Sequence, residues 1–116
     1  MARAQATIAS LTDPEKLFLW RRRNGHTQAK AAKRCKVPMD QYVQAERGKD
    51  DDAQRLVRVA KVKLGRLEDH ERCVVHRRRA KLTIRELAER LGRSRWWINQ
   101  MELGYAPCEE LLAFWK

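Results

Sequence analysis

Three cysteines are all the chain has, and Cys35, Cys73 and Cys108 are far apart, odd in number and without a CxxC pair. That excludes a disulfide scaffold and fits a reducing compartment, with Cys35 and Cys108 expected as small buried hydrophobes. Long apolar runs are missing as well: no stretch is long enough to span a membrane, no apolar signal segment follows the start, and neither end carries a lipidation motif. The expected location is the cytoplasm, with no membrane partner. Alternating β-branched runs are almost absent, which argues against a sheet. No glycine-rich phosphate loop and no nucleophile, base and orienter set can be assembled, so neither an enzyme nor a cofactor is expected.

Acidic residues are in short supply relative to basic ones. Lys and Arg number 26 against 15 Asp and Glu, a formal charge of +11, and such an excess implies a polyanionic partner, with nucleic acid the leading candidate. The 116 residues leave room for one ordinary domain or two very small ones. With 43% apolar and 35% charged residues, a core forms only if the apolar positions fall strictly on buried faces.

The sequence repeats itself. A shift of 56 residues places Arg21, Arg22 and Arg23 on Arg77, Arg78 and Arg79, Thr27 on Thr83, Ala32 on Ala88 and Arg34 on Arg90 without a gap. The same shift superposes Gln44 on Gln100, Glu46 on Glu102 and Gly48 on Gly104, so the match runs through a whole supersecondary unit. The expected organisation is a frayed terminus over residues 1–12, with no pattern from Met1 to Ser10, then a first domain over 13–65 and a second over 66–116.

Within each copy the apolar spacing of three and four is helical, and the predicted fold is all-α. Asp13 and Pro14 open a helix as N-cap and first-turn proline, Leu17, Phe18 and Trp20 give its apolar stripe, and Asn24 and Gly25 stop it. Thr27 caps a second helix that turns Ala31, Ala32 and Cys35 inward and ends near Lys36. Pro38 starts a third, which runs through Tyr42 and Ala45 to Gly48. In the second copy Thr83 and Glu86 make a capping box, Leu87, Ala88 and Leu91 face the core, Gly92 turns the chain, and Ser94 caps a helix with Ile98 and Met101 inward. Asp50, Asp51 and Asp52 are expected to cap a helix from Ala53 to Leu64 with Leu56, Val57, Ala60 and Leu64 on one face, and Gly65 to form the hinge. Leu111, Leu112, Phe114 and Trp115 mark a closing helix after Pro107.

A short helix, a tight turn and a second helix crossing it make a helix-turn-helix. Both copies resemble the helix-turn-helix domain of the lambda repressor and Cro family, the xenobiotic-response-element family of bacterial and phage regulators. The second copy matches it through Leu82, Thr83, Glu86, Leu87, Ala88, Leu91, Gly92, Ser94, Ile98, Asn99, Met101, Glu102 and Gly104. The first retains Thr27, Gln28, Ala32, Val37, Tyr42, Glu46 and Gly48. Together the matches span most of residues 16–48 and 72–104. The resemblance implies structural ion pairs from the first helix to the end of the third, Arg21 with Glu46 and Arg77 with Glu102. It also implies that double-stranded DNA is met by Gln28, Met39, Asp40, Gln44, Arg47 and Lys49 in the first copy. In the second copy the implied DNA-binding residues are Thr83, Arg85, Arg93, Ser94, Arg95, Trp96, Asn99 and Gln100.

The first copy departs from the family pattern. Lys36 stands at the usual turn glycine, Pro38 at the usual capping serine, and Ala31 and Cys35 at large core leucines. Asp40 falls where the family reads bases and Asp50, Asp51 and Asp52 where it often meets phosphate, and carboxylates there repel the backbone, although Asp40 also suits cytosine N4. The second copy departs at Ile84, which replaces the residue equivalent to Gln28.

Several features admit two readings. Trp96 and Trp97 point about 100° apart on a helix, so at most one is buried in the same core, and Trp96 either packs on DNA or covers an interface between the copies. Arg22, Arg23, Arg78 and Arg79 are either solvated helix ends or phosphate contacts. His70, Cys73 and His76 have a metal-like spacing on one helix, but Cys73 aligns with the core position Leu17 and no fourth ligand is evident, so no metal is expected.

The expected function is a sequence-specific transcription regulator, repressor or activator, with one or both copies reading the major groove. The resemblance suggests a phage or mobile-element origin and a bacterial cytoplasmic protein that joins the nucleoid when bound to DNA. A homodimer or a protein partner is compatible with it. Two rivals stand beside this expectation: a protein-interaction module or antiactivator that docks on another regulator, and nonspecific nucleic-acid binding driven by charge.

Overall fold

A computed structural model describes residues 11–49 and 52–115. Eight helices form among them: α1 (Asp13–Arg23), α2 (Gln28–Arg34), α3 (Met39–Arg47), α4 (Ala53–Val59), α5 (Asp69–Arg79), α6 (Ile84–Leu91), α7 (Arg95–Leu103) and α8 (Glu109–Trp115). No strand occurs among the described residues, and the fold is all-α. The chain divides into two compact units between Gly65 and Arg66. The expectation for Met1 to Ser10 lies outside the described residues, as does that for Asp50 and Asp51.

The internal repeat is expressed in the helix boundaries. Shifted by the 56 residues that separate Arg21 from Arg77, α1, α3 and α4 coincide at both ends with α5, α7 and α8. Only α6 runs one residue further than α2. In the first unit α1 packs on α3 and α4, and α2 packs on α3; in the second, α5 packs on α7 and α8, and α6 on α7.

Local chemistry explains the starts. The N-cap of α1 is Thr12, not Asp13, and Thr12 therefore belongs to the ordered unit instead of a frayed end. Its hydroxyl accepts from the Glu15 backbone N–H while Glu15 accepts from the Thr12 N–H, a reciprocal box that Asp13 is one residue too late to make. Glu68 and Glu71 make the corresponding box on α5. Thr27, Thr83 and Ser94 cap α2, α6 and α7 through their hydroxyls, whereas Pro38 starts α3 with no side-chain cap.

The turn after the second helix is the same in both units despite different residues. Val37 N–H donates to the Ala32 carbonyl and Lys36 N–H to Lys33, as Arg93 donates to Ala88 and Gly92 to Glu89. This paired closure needs a left-handed residue, and Lys36 adopts φ 61° where Gly92 adopts 65°. Lys36 occupies a conformation that the Cβ of an L-residue disfavours by about 1–2 kcal/mol.

Each unit has its own core. Leu17, Ala31, Ala32, Cys35, Tyr42, Ala45, Ala53 and Leu56 fill the first; Cys73, Leu87, Ala88, Ile98, Met101, Leu111 and Trp115 fill the second. Tyr42 compensates for the small Ala31 and Ala45, which stand where the second unit has Leu87 and Met101. Its ring is fully buried and its hydroxyl donates to the Leu17 carbonyl at 3.4 Å. Burial holds that phenol well above the ordinary tyrosine range. Trp20 is half-buried, and Leu19, which was not assigned to the stripe, is fully buried.

Three other expectations are corrected. α4 ends at Val59 instead of Leu64, because Lys61 turns left-handed at φ 54° and Val62 N–H closes on the Val57 carbonyl. Asp52 makes no side-chain cap on α4 and instead accepts from Gln41 Nε2 at 2.6 Å. Cys108, expected as a buried hydrophobe, is only half-buried: it sits just before α8, where its carbonyl accepts from Leu112 N–H, and packs on the edge of the core, as Leu91 does at the end of α6.

Candidate nucleic-acid interface

Each unit is locked by an arginine that bridges its first and third helices. Arg21 donates from Nε to Glu46 Oε2 at 2.8 Å and from Nη2 to Oε1 at 3.0 Å, and Nη1 reaches the His26 carbonyl at 3.4 Å. Arg77 bridges the same elements with Nε donating to both Glu102 oxygens, at 2.8 Å to Oε2 and 3.1 Å to Oε1, and Nη1 on the Leu82 carbonyl at 3.1 Å. Both carboxylates are buried. The hydrogen bonding of the Arg21 guanidinium to Glu46 is the main cause that raises the Arg21 pKa above its ordinary value. One guanidinium thus fixes the third helix and the loop before the second, which sets how the exposed side of α3 or α7 is presented.

On α7 the exposed side carries Arg95, Trp96 and Asn99, with Gln100 half-buried. Trp96 is 65% exposed, while its neighbour Trp97 packs against the core, the two rings lying 6.0 Å apart. Ser94 and Thr83 are exposed, and their hydroxyls accept the Trp97 and Glu86 N–H groups at 3.1 Å each. Arg85 lies within 3.4 Å of Glu89, an exposed pair of little energetic weight. Between α6 and α7 runs a groove of about 580 Å³ whose wall includes Arg85, Gly92, Arg93 and Arg95.

Arg93 is not a free cation of this face. Its Nε donates to Glu110 at 3.0 and 3.1 Å and its Nη2 lies 3.0 Å from the same carboxylate, so the first turn of α8 holds it. That carboxylate also raises the Arg93 pKa.

The α3 side of the first unit is chemically different. Met39 is 53% exposed, Asp40, Arg47 and Lys49 are exposed, and Gln44 is half-buried. Gln28 turns towards the buried pair, its Nε2 donating to Glu46 Oε1 at 3.4 Å, because no large apolar residue fills that place as Ile84 does in the second unit.

The helix-end arginines have local partners. Arg22 lies over the Phe18 ring at 5.5 Å, and Arg23 Nη1 donates to the Leu64 carbonyl. Three exposed apolar residues were not singled out from the sequence: Tyr105, 77% exposed, and Leu103 and Val59, 38% each. The signal was available, since Leu103 follows Trp96 by two turns and shares its face. A basic cluster of Lys30, Lys33 and Arg34 on α2 also went unnoticed, because the core-facing alanines dominate that segment.

His76 is buried and stacks on Trp115 at 5.8 Å, and among the described residues no three His, Cys, Asp or Glu side chains converge as metal ligands. No helix among those residues is long and apolar enough to cross a membrane. No family model matches the chain, and no curated protein or solved structure matches it either.

Proposed function

We propose that the chain is a sequence-specific DNA-binding regulator of transcription, built from two tandem lambda-repressor-like helix-turn-helix units, with α7 as the principal reading helix. The observation that carries the proposal is the exposed side of α7: Arg95 and Asn99 offer guanine and adenine contacts from a helix fixed by the buried Arg77–Glu102 pair. Trp96 beside them suits a thymine methyl or a sugar face. Positioning on phosphate falls to Arg85 and the hydroxyl-capped starts of α6 and α7. The formal charge of +11 supplies the nonspecific attraction and the encounter rate.

The first unit contributes more weakly. Arg47, Lys49 and Gln44 are placed for backbone contact, but Met39 and Asp40 stand where Arg95 and Trp96 stand in the second unit. Those two residues favour a second reading for α3 alone, in which it contacts a protein partner while α7 holds DNA.

The test is selection of bound duplexes from a random pool by the purified chain at near-physiological salt. The expected product is one strong motif, with a weaker half-site about one helical turn away, roughly 10 base pairs, if α3 also docks. Enrichment without any motif sinks the specific-regulator reading and leaves charge-driven binding in its place.

A further inference from the structure

The first unit carries a second feature that major-groove reading does not use. Around His26, two concavities of about 350 and 300 Å³ share the His26 and Arg34 side chains as a common wall. One is cationic, lined by Lys30 and Lys33 of α2. The other is mostly polar in its lining, but its wall includes Trp20 of α1 and Val59 and Ala60 at the end of α4, beside Asn24 and Lys61. We propose that this double pocket is a binding site for a nucleoside phosphate, with the ring against Trp20 and Val59 and the phosphates on Lys30, Lys33 and Arg34.

Three observations converge on it. Among the described residues, none of the Lys30, Lys33 and Arg34 side chains meets a carboxylate, so three neighbouring cations stand uncompensated. A polyvalent anion relieves their mutual repulsion, and the weaker hydration of a partly enclosed site strengthens the attraction. His26 supplies the second observation. Its Nδ1 is buried without a hydrogen-bond partner, although its ring is held edge-on to Trp20 at 5.7 Å. Buried polar atoms are nearly always satisfied, and a turn of the imidazole ring on ligand binding would bring this one to the shared wall and a partner.

The third observation comes from the repeat, which shows that the fold itself does not require these residues. At the positions of Trp20 and Val59 the second unit has His76 and Trp115, stacked at 5.8 Å with an interplanar angle of 17° and both buried. Val59, by contrast, is 38% exposed and leaves that volume open. His26 is matched by Leu82, and Lys30 and Lys33 by Glu86 and Glu89. The open volume beside Trp20 and the charges of Lys30 and Lys33 are therefore particular to the first unit, whereas Arg34 is matched by Arg90. The size suits a small ligand, since such pockets commonly span roughly 300–1,000 Å³.

The experiment is calorimetric titration of the full chain, at near-physiological salt, with ATP, inorganic triphosphate and adenosine as separate probes. ATP is expected to bind once per chain with a dissociation constant below about 1 mM, at least tenfold tighter than triphosphate or adenosine. Lys33→Glu should weaken ATP and triphosphate alike by tenfold or more. Val59→Trp, which installs the residue of the second unit, should weaken ATP by tenfold and leave triphosphate unchanged. Circular dichroism checks that variant, and His26→Leu, again the second unit's residue, serves the same purpose if Val59→Trp fails to fold. The proposal is overturned if ATP does not bind, if Lys33→Glu leaves ATP binding intact, or if ATP binds no tighter than triphosphate. In the last case the cations form a plain phosphate surface of the kind a nucleic-acid backbone meets. None of these outcomes depends on whether α7 reads DNA.

Discussion

The two units keep the same frame and differ on their surfaces. Helix limits, the arginine–glutamate lock and the closure of the second turn recur at equivalent residues, while the exposed side of the third helix changes from Met39 and Asp40 to Arg95 and Trp96. The changes are not random with respect to chemistry. Around α2 the first unit gathers cations and leaves open the space beside Val59, and the second has glutamates on α6 and a packed Trp115. A repeated fold keeps what closes the core and is free to diverge where side chains meet solvent or partners.

The lock offers the largest contrast. Glu102 is 1% exposed and Glu46 4%, and Glu46 also accepts from Gln28. Glu102→Ala leaves a buried guanidinium uncompensated and should destabilise the second unit by roughly 3–5 kcal/mol, with Glu46→Ala at the lower end of that range in the first. Each unit contains its own reporter. Burial pushes the Cys35 thiol up to about 11 and Cys73 up to about 12, so neither reacts at neutral pH while folded. Residue-resolved thiol labelling should therefore speed up most at Cys73 for Glu102→Ala and most at Cys35 for Glu46→Ala. Equal acceleration at both thiols in both variants would show that the units unfold as one body.

The reading surfaces come next in size. Arg95→Glu should weaken binding to the selected duplex by about 10- to 100-fold, corresponding to loss of one bidentate base contact worth roughly 1–3 kcal/mol. Met39→Glu, at the equivalent place on α3, should change it by less than threefold if the first unit is the weaker reader. Fluorescence anisotropy on both variants decides this. If Met39→Glu is the more damaging change, the roles of the two units are reversed.

Much of this molecule was legible from its sequence, for identifiable reasons. Thr83 with Glu86, Ser94 before Trp97, and glycine after the third helix are local signals whose geometry is fixed within one turn, and the repeat let the clear copy interpret the degenerate one. The failures share a cause: they depend on contacts distant in sequence or on turns without glycine. Arg93 reads as a free cation until Glu110 of α8 is brought beside it. The end of α4 at Val59 rests on a left-handed lysine, Lys61, which composition does not announce. The bond from Gln28 to Glu46 likewise appears only when the third helix is folded beside the second.

The turn between the second and third helices allows a symmetric exchange of smaller effect. Lys36 and Gly92 occupy equivalent left-handed positions, and a Cβ added at Gly92 meets nothing within 4 Å, so the cost there is backbone strain alone. Lys36→Gly should stabilise the first unit by about 0.5–1 kcal/mol, and Gly92→Lys should destabilise the second by about 1 kcal/mol. Urea midpoints at constant slope measure both. Opposite signs are required; a loss of stability in both variants would mean that the lysine side chain itself contributes a contact at the first turn.

The smallest expected difference lies at the starts of α2 and α6. Thr27 and Thr83 cap these helices alike, but the residue three positions on is Lys30 in one and Glu86 in the other. The Thr83 backbone N–H, then its hydroxyl, hold the Glu86 carboxyl below its ordinary value of 4.5. A carboxylate whose pKa is lowered on folding stabilises the fold above the unfolded value and ceases to do so as pH falls through the folded one. Acidification through the lowered pKa of Glu86 should therefore loosen the first turn of α6 and leave that of α2, which has no acidic residue, in place. Amide exchange at Thr83 is the direct readout, since its N–H donates to Glu86 Oε1 at 3.1 Å. Protection at Thr83 that fades only with global unfolding would assign the stability of this turn to the Thr83 hydroxyl and not to the glutamate. Glu86→Gln, which retains an acceptor without the charge, should then abolish the pH dependence while keeping most of the cap.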